Sequence, residues 1–481
     1  MAEMTIAEVA THGFLVDGKG IEDGEVVEVK APYDGTVVGR VFQGSRQHAE
    51  AAIGAAVKAF GTTRRLPAFE RQRVLRRVAE GIAKRKEEFS RILCQEAGKP
   101  IKAARTEVDR TIFTFTVAAE ESTRIYGEYL PLDWQEYTAG RWGIVKRFPL
   151  GPIAGITPFN FPLNLVAHKV APAIAAGCPM VLKPAPQTPL SSLLMAEVVQ
   201  QAGWPDGALN VLPLSNDDAG VLVTDDRIKM ISFTGSAAVG WQIKKNCGKK
   251  KVILELGGNA GVIIHSDADV EYAAERCVAG GFGYAGQTCI SVQRVLVQQS
   301  VYGKFIDLFL AGVKNLQTGD PMDESTDVGP LIRESDAQRA ADWIQESVRG
   351  GARVLCGGNR KGSMLEPTVL TGTKPDMKVN CQEMFAPVVT VEPYREFDDA
   401  LRQINSSAYG LQAGIFTRDA KLMFQAFEEL EVGGLLAGDV PSFRIDQMPY
   451  GGVKDSGIGR EGLRYAIEEM TEPKLMVMNL R

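Results

Sequence analysis

Short apolar segments of strand length alternate with segments of helix length from residue 151 onward. This alternation predicts βαβ units, because neighbouring parallel strands have to be joined by a crossover connection, usually a helix. It constrains the chain to an open parallel sheet with helices on both faces. In this first series we expect strands at residues 153–156, 180–183, 209–212 and 229–233, and helices at residues 162–176, 190–202, 217–223 and 238–246.

A second alternating series begins near Val262. A chain of 481 residues is long enough for two or three domains. We therefore predict an α/β fold with two doubly wound, Rossmann-like parallel-sheet domains. The expected strands are residues 291–298, 353–355, 388–391 and 411–416, and the expected helices are residues 270–280, 302–316, 334–350 and 398–405, with further helices upstream at residues 49–86 (interrupted near 61–67), 87–98 and 102–126.

Two segments fit neither series. Residues 136–148 alternate like a pair of strands, and residues 474–479 form a short strand after a helix. An exposed strand edge needs a partner to cover its unpaired backbone groups. We therefore expect a small, separate β element.

The composition excludes several classes of function. A net charge of −5 argues against nucleic acid as the main partner. Residues 1–18 lack the apolar segment of a signal peptide, and no stretch is apolar enough to predict a membrane span. Seven cysteines without a C-x-x-C pair favour a reducing cytoplasm. The four histidines lack metal-ligand spacing, so we predict no metal site.

Three side chains carry the chemistry that the pattern indicates. Cys289 lies between a glycine-rich stretch and a β-branched run, as expected of a nucleophile at a loop-to-strand junction. Glu255 precedes two glycines, and Asn160 lies between two prolines. A thiol, a carboxylate and a carboxamide can together form an acyl intermediate and hydrolyse it. Taken singly, each has a structural alternative: a buried inert thiol, a carboxylate bonded to backbone amides and a turn-forming asparagine.

Several short motifs, in one order, resemble those of the aldehyde dehydrogenase superfamily, the NAD(P)-dependent enzymes that oxidise aldehydes to acids. They are Pro158-Phe159-Asn160-Phe161-Pro162, Lys183-Pro184-Ala185, Phe233-Thr234-Gly235-Ser236, Glu255-Leu256-Gly257-Gly258, Gly286-Gln287-Thr288-Cys289, Glu383-Met384-Phe385-Ala386-Pro387 and Pro449-Tyr450-Gly451-Gly452. Within this superfamily, residues 159–177 and 448–462 resemble the lactaldehyde and nonphosphorylating glyceraldehyde-3-phosphate dehydrogenase branch.

The resemblance implies a division of the chain. Residues 1–122 and 146–256 would form the dinucleotide-binding domain and residues 257–446 the catalytic domain. Residues 123–145 and 466–481 would form a bridging element between subunits, which implies a homodimer or a homotetramer.

The resemblance also implies catalytic roles. Cys289 attacks the aldehyde, and Asn160 with the Cys289 backbone N–H binds the oxyanion. Glu255 then activates water to hydrolyse the thioester, which separates this chain from relatives that pass the thioester to coenzyme A. Two other readings stay open: a cofactor-independent thiol hydrolase or esterase, and a non-catalytic member of the family.

The cofactor would be NAD or NADP. Its phosphates would lie on the helix that opens at Gly235 and Ser236, because a helix N-terminus binds anions. Many NAD-preferring relatives have a ribose-binding glutamate three residues after Lys183. That position is Pro186 here, so NADP is not excluded. The expected cofactor residues are Ile156, Thr157, Pro158, Phe159, Lys183, Gly235, Ser236, Leu256, Gly257, Glu383 and Phe385.

The substrate would be a short hydroxylated or anionic aldehyde such as lactaldehyde, glyceraldehyde or a semialdehyde. Its expected contacts are Phe161, Arg110, Thr288 and Phe443. An arginine suits a carboxylate or phosphate through its bidentate fork. The candidate anion binders are Arg105, Arg110, Arg294 and Arg444.

Overall fold

A computed structural model of the protein describes residues 9–479. The predicted segments 1–122 and 466–481 thus extend at their ends beyond the described residues. Up to residue 150 the strands are β1 Thr11–His12, β2 Phe14–Val16, β3 Lys19–Ile21, β4 Glu25–Lys30, β5 Val37–Gln43, β6 Glu128–Pro131 and β7 Arg141–Pro149, and the helices are α1 Arg46–Thr63, α2 Ala68–Lys84, α3 Lys86–Ala97 and α4 Ile101–Glu121.

The first predicted alternation follows directly. Its strands are β8 Ile153–Ile156, β9 Met180–Lys183, β10 Leu209–Val211, β11 Met230–Thr234 and β12 Lys251–Glu255. Its helices are α5 Asn164–Ala176, α6 Leu190–Gln201, α7 Gly220–Thr224 and α8 Ala237–Asn246.

The second series has strands β13 Ala260–Ile264, β14 Val292–Gln298, β15 Arg353–Cys356, β16 Arg360–Lys361, β17 Met364–Leu365, β18 Thr368–Thr371, β19 Val388–Tyr394, β20 Tyr409–Gly410, β21 Gln412–Phe416 and β22 Gly434–Ala437. Its helices are α9 Val270–Phe282, α10 Tyr302–Lys314, α11 Glu334–Arg349, α12 Lys378–Cys381, α13 Phe397–Asn405 and α14 Ala420–Glu429. The chain ends with β23 Val453–Lys454, β24 Gly457–Ile458, α15 Leu463–Glu469 and β25 Thr471–Asn479.

Two large sheets form the molecule. The first has the order β24-β12-β11-β8-β9-β10-β2-β3, and its five central strands are parallel. The second has the order β15-β18-β19-β14-β13-β21-β22, in which β18 to β22 run parallel. Helices pack against both sheets, and each sheet has its own apolar core. The prediction of a two-sheet, Rossmann-like α/β fold is confirmed.

Strand register brings chemistry to one edge of the first sheet. Ile156 pairs with Lys183 and with Phe233, and Phe233 pairs in turn with Leu254. Ile156 and Lys183 are the last residues of β8 and β9, and Phe233 and Leu254 are the last but one of β11 and β12. Glu255, the last residue of β12, therefore lies at the carboxyl edge. Ligands bind at this edge of open parallel sheets.

The predicted strand pair at residues 136–148 is wrong in its bounds. The strands that pair are β6 and β7, and residues 136–138 form a single helical turn between them. Gly140, with a φ of 78°, turns the chain into β7. The predicted C-terminal strand is longer than expected, because β25 pairs antiparallel with β7 along its whole length.

Candidate active site

A cavity of about 420 Å³ opens between the two sheets. It brings together all three predicted catalytic residues and most of the predicted cofactor and substrate residues. The predicted residues that line it are Cys289, Glu255, Asn160, Pro158, Phe159, Gly235, Ser236, Leu256, Gly257, Glu383, Phe385, Phe161, Arg110 and Thr288.

Cys289 lies just before β14 and faces the carboxyl edge of the first sheet. Gly258 makes this approach possible, since a Cβ there would lie 2.2 Å from the Cys289 carbonyl oxygen. The half-buried thiol is 3.0 Å from the hydroxyl of Tyr450. Burial raises the pKa of Cys289 well above its ordinary value, and Glu255 raises it further, whereas Tyr450 and Arg444 lower it. The thiol is therefore neutral at rest and would need a base in order to act as a nucleophile.

Glu255 ends β12 and is buried, with 2% of its surface exposed. Its Oε1 atom has no hydrogen-bond partner within residues 9–479. Burial raises its pKa to about 7, and the charge of Glu461 adds to the shift. A carboxyl group with this pKa exchanges protons near neutrality, as a general base must.

Asn160 lies in the loop between β8 and α5 and is 4% exposed. Its side-chain Nδ2 donates to the carbonyl oxygen of Gln287 at 3.0 Å, which fixes the amide beside the Cys289 loop. A carboxamide has two N–H donors, so one remains for a ligand. This arrangement suits an oxyanion-binding donor.

A buried charge network beside Glu255 was missing from the sequence prediction. Lys169 donates from Nζ to Glu461 Oε1 at 3.2 Å and to Thr234 at 2.8 Å. Arg444 donates to Glu461 Oε2 at 3.0 Å, and its guanidinium stacks on the Tyr450 ring at 3.7 Å. The two cations outweigh the effect of burial and lower the pKa of Glu461. The sequence signal that could have indicated this network is a lysine, Lys169, within the apolar helix α5. All residues of this helix are buried, so its ammonium group needs a buried partner.

Arg110 lies on α4 at the far end of the cavity and is about one-third exposed. Within the described part of the chain its guanidinium forms no hydrogen bond, and its nearest carboxylate, Asp446, is 4.0 Å away. Burial lowers the pKa of Arg110, and the like charge of Arg444 lowers it further. Of the two guanidinium groups that line the cavity, Arg444 is paired with Glu461, whereas Arg110 has all its N–H donors free of hydrogen bonds within residues 9–479, which favours an anionic ligand.

The part of the cavity where the cofactor residues were predicted has a close contact at Gly257 that only glycine permits. A Cβ on Gly257 would lie 2.3 Å from a carboxylate oxygen of Glu383, which accepts from the Gly258 N–H at 2.9 Å. Burial raises the pKa of Glu383 to about 7. The rings of Phe159 and Phe385 meet edge to face at 5.9 Å, and Phe385 has a φ of 49°. Strained backbone of this kind accumulates at ligand sites.

Lys183, Ile156 and Thr157 lie outside the cavity wall, at the carboxyl edge of the first sheet, where the Thr157 N–H donates to the Lys183 carbonyl at 3.2 Å. The Lys183 ammonium has no hydrogen-bond partner among residues 9–479, and burial lowers its pKa to about 8. Pro186 is exposed nearby. A lone buried ammonium fits a ligand that supplies hydroxyl acceptors.

Other predicted substrate residues lie elsewhere. Phe443 is 44% exposed and does not line the cavity, although its neighbours Ser442 and Arg444 do. Arg105 is bound to Glu87 and Glu324 at the surface. The guanidinium of Arg294 is buried against three backbone carbonyls. Of the four candidate anion binders, Arg110 and Arg444 are the ones at the cavity.

The fold and the cavity define a class: an α/β enzyme with a thiol, a carboxyl group and a carboxamide at the edge of a nucleotide-binding sheet. Comparison with known proteins identifies the family. Residues 20–476 match the model of the aldehyde dehydrogenase family. The chain belongs to this family, and it is an NAD(P)-dependent aldehyde dehydrogenase.

Three relatives illustrate the similarity. A 3-sulfolactaldehyde dehydrogenase of Priestia aryabhattai is 42% identical over 477 residues, which cover 99% of this chain and 100% of the relative. Aldehyde dehydrogenase 21 of Physcomitrella patens, in complex with the reaction product succinate, superposes with a TM-score of 0.97 at 46% identity, covering 98% and 99% of the two chains. The glyceraldehyde-3-phosphate dehydrogenase GapN of Methanocaldococcus jannaschii, complexed with NADP, gives 0.92 at 39% identity, covering 95% and 100%.

Between residues 9 and 479, none of the helices has the length and apolar character required to span a bilayer.

Proposed function

We propose that the protein oxidises a short anionic aldehyde to the carboxylic acid through a thioester on Cys289. Glu255, which is in hydrogen-bonding contact with the Cys289 thiol, takes its proton and passes it to solvent. The thiolate adds to the carbonyl carbon, and the new oxyanion is held by the free N–H of the Asn160 amide and by the Cys289 backbone N–H. Loss of one such donor typically costs about 2.7–4 kcal/mol of transition-state stabilisation.

NAD(P)+ would lie on Gly235, Ser236, Gly257, Glu383 and Phe385, with Lys183 at its adenosine ribose. When bound, it supplies the hydride acceptor that oxidises the thiohemiacetal to the thioester. The protein's part is to orient the reacting carbon and to exclude water. The Glu383 carboxylate packs directly against Gly257, which only a residue without a Cβ permits, and this close packing supports the placement.

Glu255 removes a proton from water, which attacks the thioester and releases the acid and the free thiol. Its unpaired Oε1 and its pKa of about 7 support this role. The hydrolase or esterase alternative has less support, because no histidine of the described chain lines the cavity. We therefore propose a non-acylating enzyme that releases the free acid.

The anionic character of the substrate rests on one observation: the guanidinium of Arg110 lines the cavity without a hydrogen bond among residues 9–479. An anion there would satisfy Arg110 and relieve its repulsion from Arg444. The names of the relatives fit, since one acts on a sulfonated aldehyde and another was solved with succinate.

We also propose the domain division made from the sequence, 1–122 with 146–256, 257–446, and 123–145 with 466–481, and an assembly of two or four copies. The sheet of β6, β7 and β25 exposes apolar side chains on both faces: Tyr129, Ile144 and Met476 share one face because they pair across the sheet, and Leu475 and Val477 lie on the other. A second copy would cover this apolar surface. Free cysteines in the described chain support a cytoplasmic location.

The test is a screen of short aldehydes with both cofactors, followed by the absorbance of reduced nicotinamide. We expect succinic semialdehyde to be oxidised with a higher kcat/KM than butanal, which has the same length and no charge. Arg110→Met should remove this preference while leaving butanal oxidation intact. An equal loss for both substrates would contradict the assignment of Arg110. Cys289→Ala is the inactive control.

Hydrolysis is tested with Glu255→Gln. We expect one equivalent of reduced cofactor per active site and then near-silence, because the thioester forms and is not cleaved. Unchanged steady-state turnover would rule out Glu255 as the base. The role of Pro186 is tested by the ratio of kcat/KM for the two cofactors. A preference for NAD above about a hundredfold, roughly 2.7 kcal/mol, would refute the proposal that Pro186 leaves room for NADP.

A further inference from the structure

Behind the cavity wall at Arg110 lies a buried carboxylate that the mechanism does not use. Asp446 belongs to the same loop as Arg444 and is 2% exposed. Its Oδ2 accepts from the Thr114 hydroxyl at 2.6 Å, and its Oδ1 lies 3.2 Å from Nε2 of His168. The Asp446 side chain is therefore anchored to α4 by the hydrogen bond from Thr114 and lies against His168 of α5.

His168 does not neutralise this carboxylate. Burial lowers the pKa of His168, and the nearby Arg444 lowers it further, so the ring is uncharged at neutral pH. Asp446 itself stays ionised, because its contacts with His168, Thr114 and Arg110 outweigh burial and lower its pKa to about 2. Its negative charge is directed at Arg110, 4.0 Å away.

The charges around the pocket nearly cancel. The cations that line the cavity or lie just behind its wall are Arg110, Arg339, Arg444 and Lys169, and the anions are Asp336, Asp446 and Glu461. The adjoining buried pair of Lys99 and Glu107 is internally neutral. The net charge around the pocket is thus no greater than +1, and ionisation of Glu255 and Glu383 lowers it further. This balance matches a singly charged head group such as a carboxylate or sulfonate. The second negative charge of a phosphate ester would be repelled by the nearby charge of Asp446 and would find no further cation to compensate it.

We propose that Asp446 is a specificity-determining residue: it holds a fixed negative charge beside Arg110 and so selects aldehydes with a monoanionic head group over aldehydes with a dianionic one. This inference rests on the proposed oxidation of anionic aldehydes. Asp446 acts through Arg110, 4.0 Å away, and through the repulsion that its buried charge exerts on a second negative charge in the pocket.

The experiment compares glycolaldehyde sulfate with glycolaldehyde phosphate at pH 8. The two molecules have the same length and a tetrahedral head group, but the phosphate bears a charge of about −2. The wild-type enzyme should favour the sulfate. Asp446→Asn keeps the shape and an acceptor for Thr114 but removes the charge. We expect it to shift the kcat/KM ratio toward the phosphate by at least about tenfold, as removal of a unit charge a few ångströms away implies.

The shift should appear as a lower KM for the phosphate with kcat retained, which a general structural defect would not produce. The matched control is Thr114→Val, which removes the hydrogen bond to Asp446 and keeps its charge; its ratio should stay at the wild-type value. An unchanged ratio in Asp446→Asn, or an equal shift in Thr114→Val, would overturn the proposal.

A failure of the proposed oxidation of anionic aldehydes can be distinguished from a failure of the proposal for Asp446. If the wild-type enzyme oxidises no anionic aldehyde but does oxidise butanal, the proposed function is wrong. If Asp446→Asn does not fold, competitive inhibition of the wild type by methyl sulfate and methyl phosphate decides the point. We expect methyl sulfate to bind at least as well, and a clear preference for methyl phosphate would refute charge selection.

Discussion

Glu255→Gln should make the protein more stable while stopping hydrolysis. The carboxyl group is buried, its Oε1 has no partner in the described chain, and the ionised Glu461 is near enough to raise its pKa. Above neutral pH the folded protein must therefore hold an uncompensated negative charge. Glutamine has the same shape and cannot ionise, so it removes this electrostatic cost.

The magnitude follows from the pKa. Glu255 moves from about 4.5 to about 7 on folding. Because the pKa of Glu255 is higher in the folded than in the unfolded protein, the free energy of unfolding is greatest below about pH 4.5, where this group is protonated in both states. It falls as the pH rises through about 7. A tenfold change in proton affinity corresponds to about 1.4 kcal/mol, so the wild type should lose roughly 2–3 kcal/mol relative to the variant between pH 5 and pH 8.

The assay is urea unfolding of both proteins at pH 5 and pH 8, with the midpoint difference converted through a common slope. The difference should be small at pH 5 and should favour the variant at pH 8. The control is Glu428→Gln, at an exposed position on α14, whose effect should be the same at both pH values. A Glu255→Gln advantage that does not grow with pH would refute the account of this carboxyl group.

Three further substitutions test the site. The Tyr450 hydroxyl lies 3.0 Å from the Cys289 Sγ atom and lowers the pKa of the thiol. Tyr450→Phe removes this hydroxyl, so the thiol pKa should rise and alkylation of Cys289 by iodoacetamide at pH 8 should slow several-fold. Gly257→Ala places a methyl group 2.3 Å from the Glu383 carboxylate, so the KM for NAD(P)+ should rise at least about tenfold. Glu461→Gln breaks a buried pair with Lys169 and Arg444, so unfolding should become easier by about 3–5 kcal/mol.

Each of these has a matched comparison. Tyr409→Phe removes a hydroxyl that also lines the cavity, and the rate of thiol alkylation should stay unchanged. For Gly257→Ala, thiol alkylation without cofactor should equal that of the wild type, and a loss there would indicate a general distortion. Glu468→Gln breaks an exposed pair with Arg464, and a destabilisation as large as that of Glu461→Gln would contradict the importance of burial.

The strands and helices of the two sheets could be predicted from the sequence, because the residue pattern that specifies each of them lies within the element itself. Alternating strand and helix segments specify βαβ units, and the observed β8 to β12 and β13 to β22 follow the expected order. The error at residues 136–148 has a local cause too. Polar and apolar residues alternate through the turn at Gly140 as they do in β7, so periodicity could not separate turn from strand.

The charge network could not be found in this way. Lys169 and Glu461 are 292 positions apart, and each lies in a sequence context that suggests another role: an apolar helix and a glycine-rich turn. Their pairing depends on how α15 packs against α5, which is a property of the whole fold. The motifs did locate Cys289, Glu255 and Asn160, because short glycine- and proline-bounded segments mark places where backbone approaches a ligand.

The two carboxyl groups beside Cys289 differ because their partners differ. Glu461 has both cations, so it stays ionised and its charge is fixed. Glu255 has no partner for Oε1 in the described chain and is subject to the charge of Glu461, so its pKa is raised and it keeps its proton up to about pH 7. Environments that push two acids apart in this way assign their roles. The ion pairs of Glu461 thus do more than hold the fold: because Lys169 and Arg444 are paired with Glu461, they offset the burial of Glu255 only in part. A buried carboxyl group with a raised pKa is what the proposed hydrolytic step requires.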